Sequence, residues 1–142
     1  MEILVINGPN LNLLGMRRPD IYGCETLDDI MDELSAYIEK KGFTVSVFQS
    51  NHEGELIDRI QAAIGYADGI IINPGAYTHY SYAIRDAIEA ADIPTVEVHL
   101  SDIHAREPFR AVSVIEPVCI AQVSALGRQG YFVAADILFE RL

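Results

Sequence analysis

The stretch GIIINPGAYTH, Gly69 to His79, decides the fold. Three isoleucines in succession leave no polar alternation, so a strand here must be covered on both faces, as strands of parallel sheets are. It ends abruptly in Asn-Pro-Gly, a turn signal, and polar residues follow. EILVIN at 2–7 repeats the pattern and is followed by Gly-Pro-Asn. Three further apolar runs read as strands: FTVSVFQ (43–49), PTVEVH (94–99) and VCIAQV (118–123).

Helical periodicity fills the intervals. Leu27, Ile30, Met31, Leu34 and Ile38 recur at i, i+3, i+4 spacing, with Thr26 as N-cap and Gly42 as stop. Leu56, Ile57, Ile60 and Ile64 form a second apolar face, and Ser50 to Glu53 has the spacing of a capping box. Ile84, Ala87, Ile88 and Ala91 form a third; Tyr131, Ala134, Ala135 and Leu138 form the inward side of a fourth helix over roughly 127–140. Strands alternating with helices along the whole chain predict an α/β fold, a doubly wound five-stranded parallel sheet with helices on both faces. The 142 residues read as one domain, 1–142, with no repeat or linker, long enough to bury about 70% of the unfolded surface.

Composition narrows the function. A net charge of −11 disfavours nucleic acid and anionic membranes as partners. No apolar run approaches the ~20 residues of a membrane helix. Cys24 and Cys119 form no CxxC pattern or disulfide framework, and Met-Glu-Ile-Leu-Val-Ile lacks the basic start of a signal peptide. A cytoplasmic protein is expected.

Parallel α/β sheets place their sites at the carboxyl ends of the strands. Those ends read Asn7-Gly-Pro-Asn10, Gln49-Ser-Asn51-His52, Asn73 to His79, and Glu97-Val-His99. The opposite edge holds plain turns such as Lys40-Lys41-Gly42. Glu97 and His99, two apart, share one strand face, and an acid inside such a strand needs a partner. The functional reading is a carboxylate orienting an imidazole for acid–base work; the bland one is a satisfied structural pair. Asn73 and His79 point polar atoms at the same edge, or else belong to a tight turn. Asp86, about two turns into the third helix, faces either the site or a neighbouring subunit. Arg110 offers a fork for a hydroxylated or carboxylated ligand, whereas Arg106 reads as structural, paired with Glu107, Asp102 or another acid. His79, Asp86, His99 and His104 lack metal-ligand spacing, so no metal is expected. There is no GxGxxG or GxxxxGK[ST], and no Ser or Thr lies between Gly8 and Glu25, which disfavours a nucleotide or flavin.

Four segments carry a resemblance: NGPNLNLLGMRRPDIYG (7–23), FQSNHEGELID (48–58), INPGAYTH with AIRDA (72–87) and EVHLSDIHAREPFR (97–110). In this order and at these separations they closely resemble the type II 3-dehydroquinate dehydratase family. The resemblance implies a flavodoxin-like fold, a homododecamer built from trimers, and no cofactor. It further implies a hydro-lyase that converts 3-dehydroquinate to 3-dehydroshikimate in the shikimate pathway of aromatic amino acid biosynthesis. Carried over by position, Tyr22 matches the general base, Arg17 its helper, His99 the proton donor, Glu97 the residue that orients it, and Asn10 the enolate stabiliser acting through water. Asn73, His79, Asp86, Leu100, Ser101 and Arg110 match substrate-binding positions: Leu100 and Ser101 through backbone N–H groups, Asp86 across a subunit boundary. Arg18 stands where the family commonly has an acid, and Tyr80 and Tyr82 replace smaller residues. The alternative is a non-catalytic flavodoxin-like module that binds a small polar ligand or a protein.

Elementary chemistry supports a non-covalent route. The only lysines, Lys40 and Lys41, adjoin Gly42 at a helix end, so an imine with substrate is not expected. A tyrosine base must be depressed from about 10 to near 7, roughly 4 kcal/mol. A guanidinium at about 4 Å contributes ~1 kcal/mol in bulk water and ~4 kcal/mol at an effective dielectric of about 20. The segment bracketed by Gly15 and Gly23 therefore reads as a lid that excludes water.

Overall fold

A computed structural model describes residues 1–16 and 24–142. Arg17, Arg18, Tyr22 and Gly23 lie outside the described residues. The chain forms β1 (Glu2–Asn7), α1 (Leu27–Lys40), β2 (Thr44–Gln49), α2 (Glu53–Ala62), β3 (Gly69–Asn73), α3 (Tyr82–Ala91), β4 (Thr95–Val98), β5 (Ala121–Val123) and α4 (Gln129–Arg141). Five parallel strands lie in the order β2-β1-β3-β4-β5, the doubly wound arrangement expected.

The sheet divides the core in two because successive side chains point to opposite faces. Ile3, Val5, Ile71, Val96 and Val98 pack under α1 and α4 against Leu34, Ile38, Tyr131 and Leu138. Leu4, Ile6, Ile70 and Ile72 face the other way, onto Leu56 and Ile60 of α2 and Ile84 and Ile88 of α3. The triple isoleucine run is fully buried because both faces of β3 are covered. Thr26 caps α1 in a reciprocal box with Asp29, and Ser81 caps α3 by accepting from Ile84 N–H.

Three expectations are corrected. The N-cap of α2 is His52, without a side-chain cap bond. Ser50 instead hydrogen-bonds Glu55, and Glu53 accepts from Ser81 at 2.5 Å, so no Ser50–Glu53 box forms. Ile64 lies past the end of α2 and is 56% exposed. The last strand is shorter than 118–123, because Glu116–Val118, with Pro117 as its second residue, forms a 3-10 turn and pairing begins at Ala121. Cys119 therefore precedes the strand.

Candidate active site

The register of the sheet places the site. Asn7 at the end of β1 pairs with Asn73 at the end of β3, and Ile72 pairs with Glu97 of β4. The loops leaving β1 and β3 then run against each other: Gly8 N–H donates to Asn73 O at 2.7 Å. A Cβ on Gly8 would stand 2.5 Å from Pro74 O, so this approach requires glycine. The loop continues to Asn10, in the left-handed region at φ 71°, whose N–H donates to Asn51 Oδ1 at 3.0 Å. These contacts bring the β1, β2 and β3 termini to one place.

Behind the loops lies a buried polar chain. The Tyr131 hydroxyl on α4 donates to Asn7 Oδ1 at 2.6 Å and accepts from Asn73 Nδ2 at 3.1 Å. Asn73 Oδ1 in turn accepts from Gly75 N–H at 3.2 Å, which sets the amide's orientation. Burial pushes the Tyr131 phenol up, opposed in part by the hydrogen bond from Asn73, so it stays a neutral hydroxyl.

Glu97 is fully buried and bonded on every side. Its carboxylate accepts from Thr78 Oγ1 at 2.7 Å, from Ser113 Oγ at 2.9 and 2.8 Å, and from Gln122 Nε2 at 3.1 Å. It also pairs with His99 Nε2. Burial alone raises a carboxyl, but the hydrogen bond and charge of His99, with the Thr78 and Ser113 hydroxyls, outweigh it and hold Glu97 below its ordinary range. Beyond His99 the chain turns away from the sheet. The carbonyls of Leu100 and Ser101 accept from Gly127 and Ala125 N–H. Among the described residues their own N–H groups have no hydrogen-bond partner.

A cleft of about 330 Å³ opens over these strand ends, and Asn10, Asn73, His79, His99, Leu100, Ser101 and Arg110 all line it. Glu97 lies beneath it, out of reach of a ligand. His79 is held through Nδ1 on Val112 O at 2.8 Å. Arg110 carries its guanidinium over the Phe109 ring and gives Nε to Glu107 at 2.5 Å. Arg106 is corrected: Glu107 pairs with Arg110, three residues on across the 3-10 turn Pro108–Ala111, and Arg106 lines the cleft. Asp86 is exposed on α3 and does not line the cleft. Tyr22 and Arg17 fall outside the described residues. Thr78, Ser113, Gln122 and Tyr131 escaped sequence reasoning as site residues, the first three because no spacing relates them to Glu97. Among the described residues no three His, Cys, Asp or Glu side chains converge as metal ligands, and no helix is long and apolar enough to cross a membrane.

Fold and site together define a doubly wound α/β protein with a histidine–carboxylate pair beneath a polar cleft at the carboxyl edge of its sheet. Residues 1–139 match the family described as dehydroquinase class II, and the chain belongs to that family. It is 56% identical to the 3-dehydroquinate dehydratase of Caldicellulosiruptor bescii, over 99% of this chain and 98% of that one. The crystal structure of type II dehydroquinase from Butyrivibrio crossotus superimposes with a TM-score of 0.93 at 52% identity, covering 98% of this chain and 97% of that one. The corresponding structure from Propionibacterium acnes gives a TM-score of 0.91 at 41% identity, covering 96% and 94%. The fold is flavodoxin-like α/β.

Proposed function

We propose that the chain is a hydro-lyase that dehydrates 3-dehydroquinate to 3-dehydroshikimate in the shikimate pathway. The observation that carries this reading is His99, held by an ionised Glu97 at the floor of the cleft, in a chain that matches the dehydroquinase family over 1–139.

The reaction removes a proton α to a ketone and expels a hydroxyl β to it. Tyr22, as phenolate favoured by Arg17, takes the α proton, and the bond electrons move into the ketone to form an enolate. Asn10, through water, holds the enolate oxygen. As the enolate collapses to the enone, His99 donates a proton to the departing hydroxyl, which leaves as water. Nε2 of His99 is engaged by Glu97, so Nδ1 is the ring atom that donates. Returning the Tyr22 proton to His99 by way of solvent resets the site. Asn73, His79 and Arg110 hold the substrate hydroxyls and carboxylate, with Leu100 and Ser101 giving backbone N–H groups to the carboxylate. That role suits the partnerless N–H groups at these two positions. Asp86, exposed and away from this chain's cleft, completes a neighbour's site within a homododecamer of trimers. Residues 1–142 act as a single catalytic domain in the cytoplasm, without a cofactor.

Ultraviolet absorbance of the conjugated enone formed from 3-dehydroquinate tests the reading. The wild type is expected to generate it, and Tyr22→Phe to abolish turnover while still binding the substrate. Absence of any enone from folded wild-type protein would leave a ligand-binding module as the surviving reading.

A further inference from the structure

Three side chains around Glu97 touch neither the cleft nor the ligand groups assigned above, and they come from three separate parts of the chain. Thr78 belongs to the 3-10 turn Gly75–His79, Ser113 to the segment after Arg110, and Gln122 to β5. We propose that Thr78, Ser113 and Gln122 are positioning residues that hold Glu97 as an anion, and that this anion keeps the His99 ring in one orientation with Nδ1 free to donate. The inference deepens the reading above and rests on it for His99's role as proton donor.

A count of protons carries the argument. Each hydroxyl has one hydrogen, and an ionised carboxylate can only accept. Thr78 and Ser113 stand 3.1 Å apart, and both direct their hydroxyls at Glu97. Ser113 Oγ already accepts from Glu116 N–H at 3.1 Å, which leaves its hydrogen for the carboxylate. Gln122 is oriented from its other end, since its Oε1 lies 3.3 Å from His104 Nε2 and its amide hydrogens therefore face Glu97. A protonated Glu97 would bring a hydrogen of its own toward these donors and would have to turn it to His99 Nε2 to keep them. The Thr78, Ser113 and Gln122 donors favour the anion.

The groups facing Glu97 from each packed element fit this picture. His99 follows it on β4, and among the described residues is the one ion-pair partner it has. Cys119, ahead of β5, has its thiol pushed up by burial and by the charges of Glu97 and Glu116, and so stays neutral. His79, on the turn that carries Thr78, is turned to Val112 O. The segment Val112–Val114 closes the arrangement: Val114 N–H donates to Thr78 O at 2.8 Å. Ser113 is thereby fixed to the same turn that presents His79 to the cleft.

The test is the pH dependence of kcat/KM for 3-dehydroquinate in Ser113→Ala, Thr78→Val and Gln122→Leu, followed by the enone absorbance. Loss of one hydrogen bond to the anion should move the acid limb up by about one pH unit, lower kcat and leave KM nearly unchanged. Thr78→Ser and Ser113→Thr, which keep the hydroxyl, should restore the wild-type limb. Carboxyl 13C NMR reads the Glu97 titration directly and without turnover. In the wild type its midpoint should lie below the ordinary 4.5, and in the folded variants it should rise. A wild-type midpoint at or above 4.5, or variants with an unmoved limb and midpoint, would overturn the proposal. Failure of the wild type to form enone would instead sink the assigned reaction, while the NMR titration would still decide the positioning of Glu97.

Discussion

The Tyr131 hydroxyl, on the inner face of α4, donates to Asn7 Oδ1 at the end of β1 over 2.6 Å and so ties the last helix to the first strand beneath the cleft. Tyr131→Phe would leave Asn7 Oδ1 and Asn73 Nδ2 without that partner inside the core. The expected cost is about 1–3 kcal/mol, read as a lowered urea midpoint at constant m-value. The loss should depend on pH. Because the phenol is raised in the folded state, its contribution is complete below its unfolded value of about 10 and fades as pH climbs past it. The stability gap between wild type and Tyr131→Phe should therefore narrow above about pH 10; a gap that widened there would contradict the buried neutral hydroxyl.

Glu97→Gln keeps the shape of the side chain and removes its charge. Under the acid–base reading kcat should fall on the order of 10²–10⁴-fold, the usual contribution of a positioned proton donor, with little change in KM. Stability should show the opposite pH sense to Tyr131. Glu97 is lowered in the folded state, so its contribution is present above its ordinary 4.5 and is lost as pH falls through the lower folded value. Denaturation of wild type and variant between pH 7 and 3 would reveal this as a wild-type advantage that disappears at the acid end.

Gly8→Ala places a methyl group 2.5 Å from Pro74 O, which is backbone and cannot rotate away. We expect a loss of about 1–3 kcal/mol from forced separation of the two loops. Asn10 and Asn73 ride on those loops, so KM for 3-dehydroquinate should rise as well. A thermal melt paired with steady-state kinetics separates the two effects, and an unshifted KM would mean that the loops move without disturbing the cleft.

The two thiols should react very differently. Cys24 is exposed, whereas Cys119 is half-buried and its thiol is raised by burial and by Glu97 and Glu116. Alkylation of the native protein at pH 8 should label Cys24 within minutes and leave Cys119 unmodified until denaturant is added. Peptide mass mapping gives the answer, and early label at Cys119 would argue against its enclosure.

Most of the scaffold is legible from local patterns. Triple isoleucine announces a strand covered on two faces, Thr26 announces a helix start, and each acts through neighbours three or four residues away at most. Polar carboxyl ends of the strands point to the edge at which the cleft opens, and Glu97 with His99 is visible because period-two alternation puts both on one face. Ser50 misled for the same local reason: its spacing to Glu53 suits a cap, but Glu55 and Ser81 offered better partners once α2 and α3 packed together.

By itself the sequence determined the order of strands and helices, the edge at which the cleft opens and the family to which the chain belongs. Only the tertiary structure decided which uncharged side chains surround Glu97, and that Tyr131 bridges Asn7 and Asn73 from the far end of the chain. It also decided that Arg106 faces the cleft while Glu107 goes to Arg110. The physical reason is that a buried polar group is satisfied by whatever donor reaches it in space, and partners 16 to 124 residues apart leave no periodic trace along the chain.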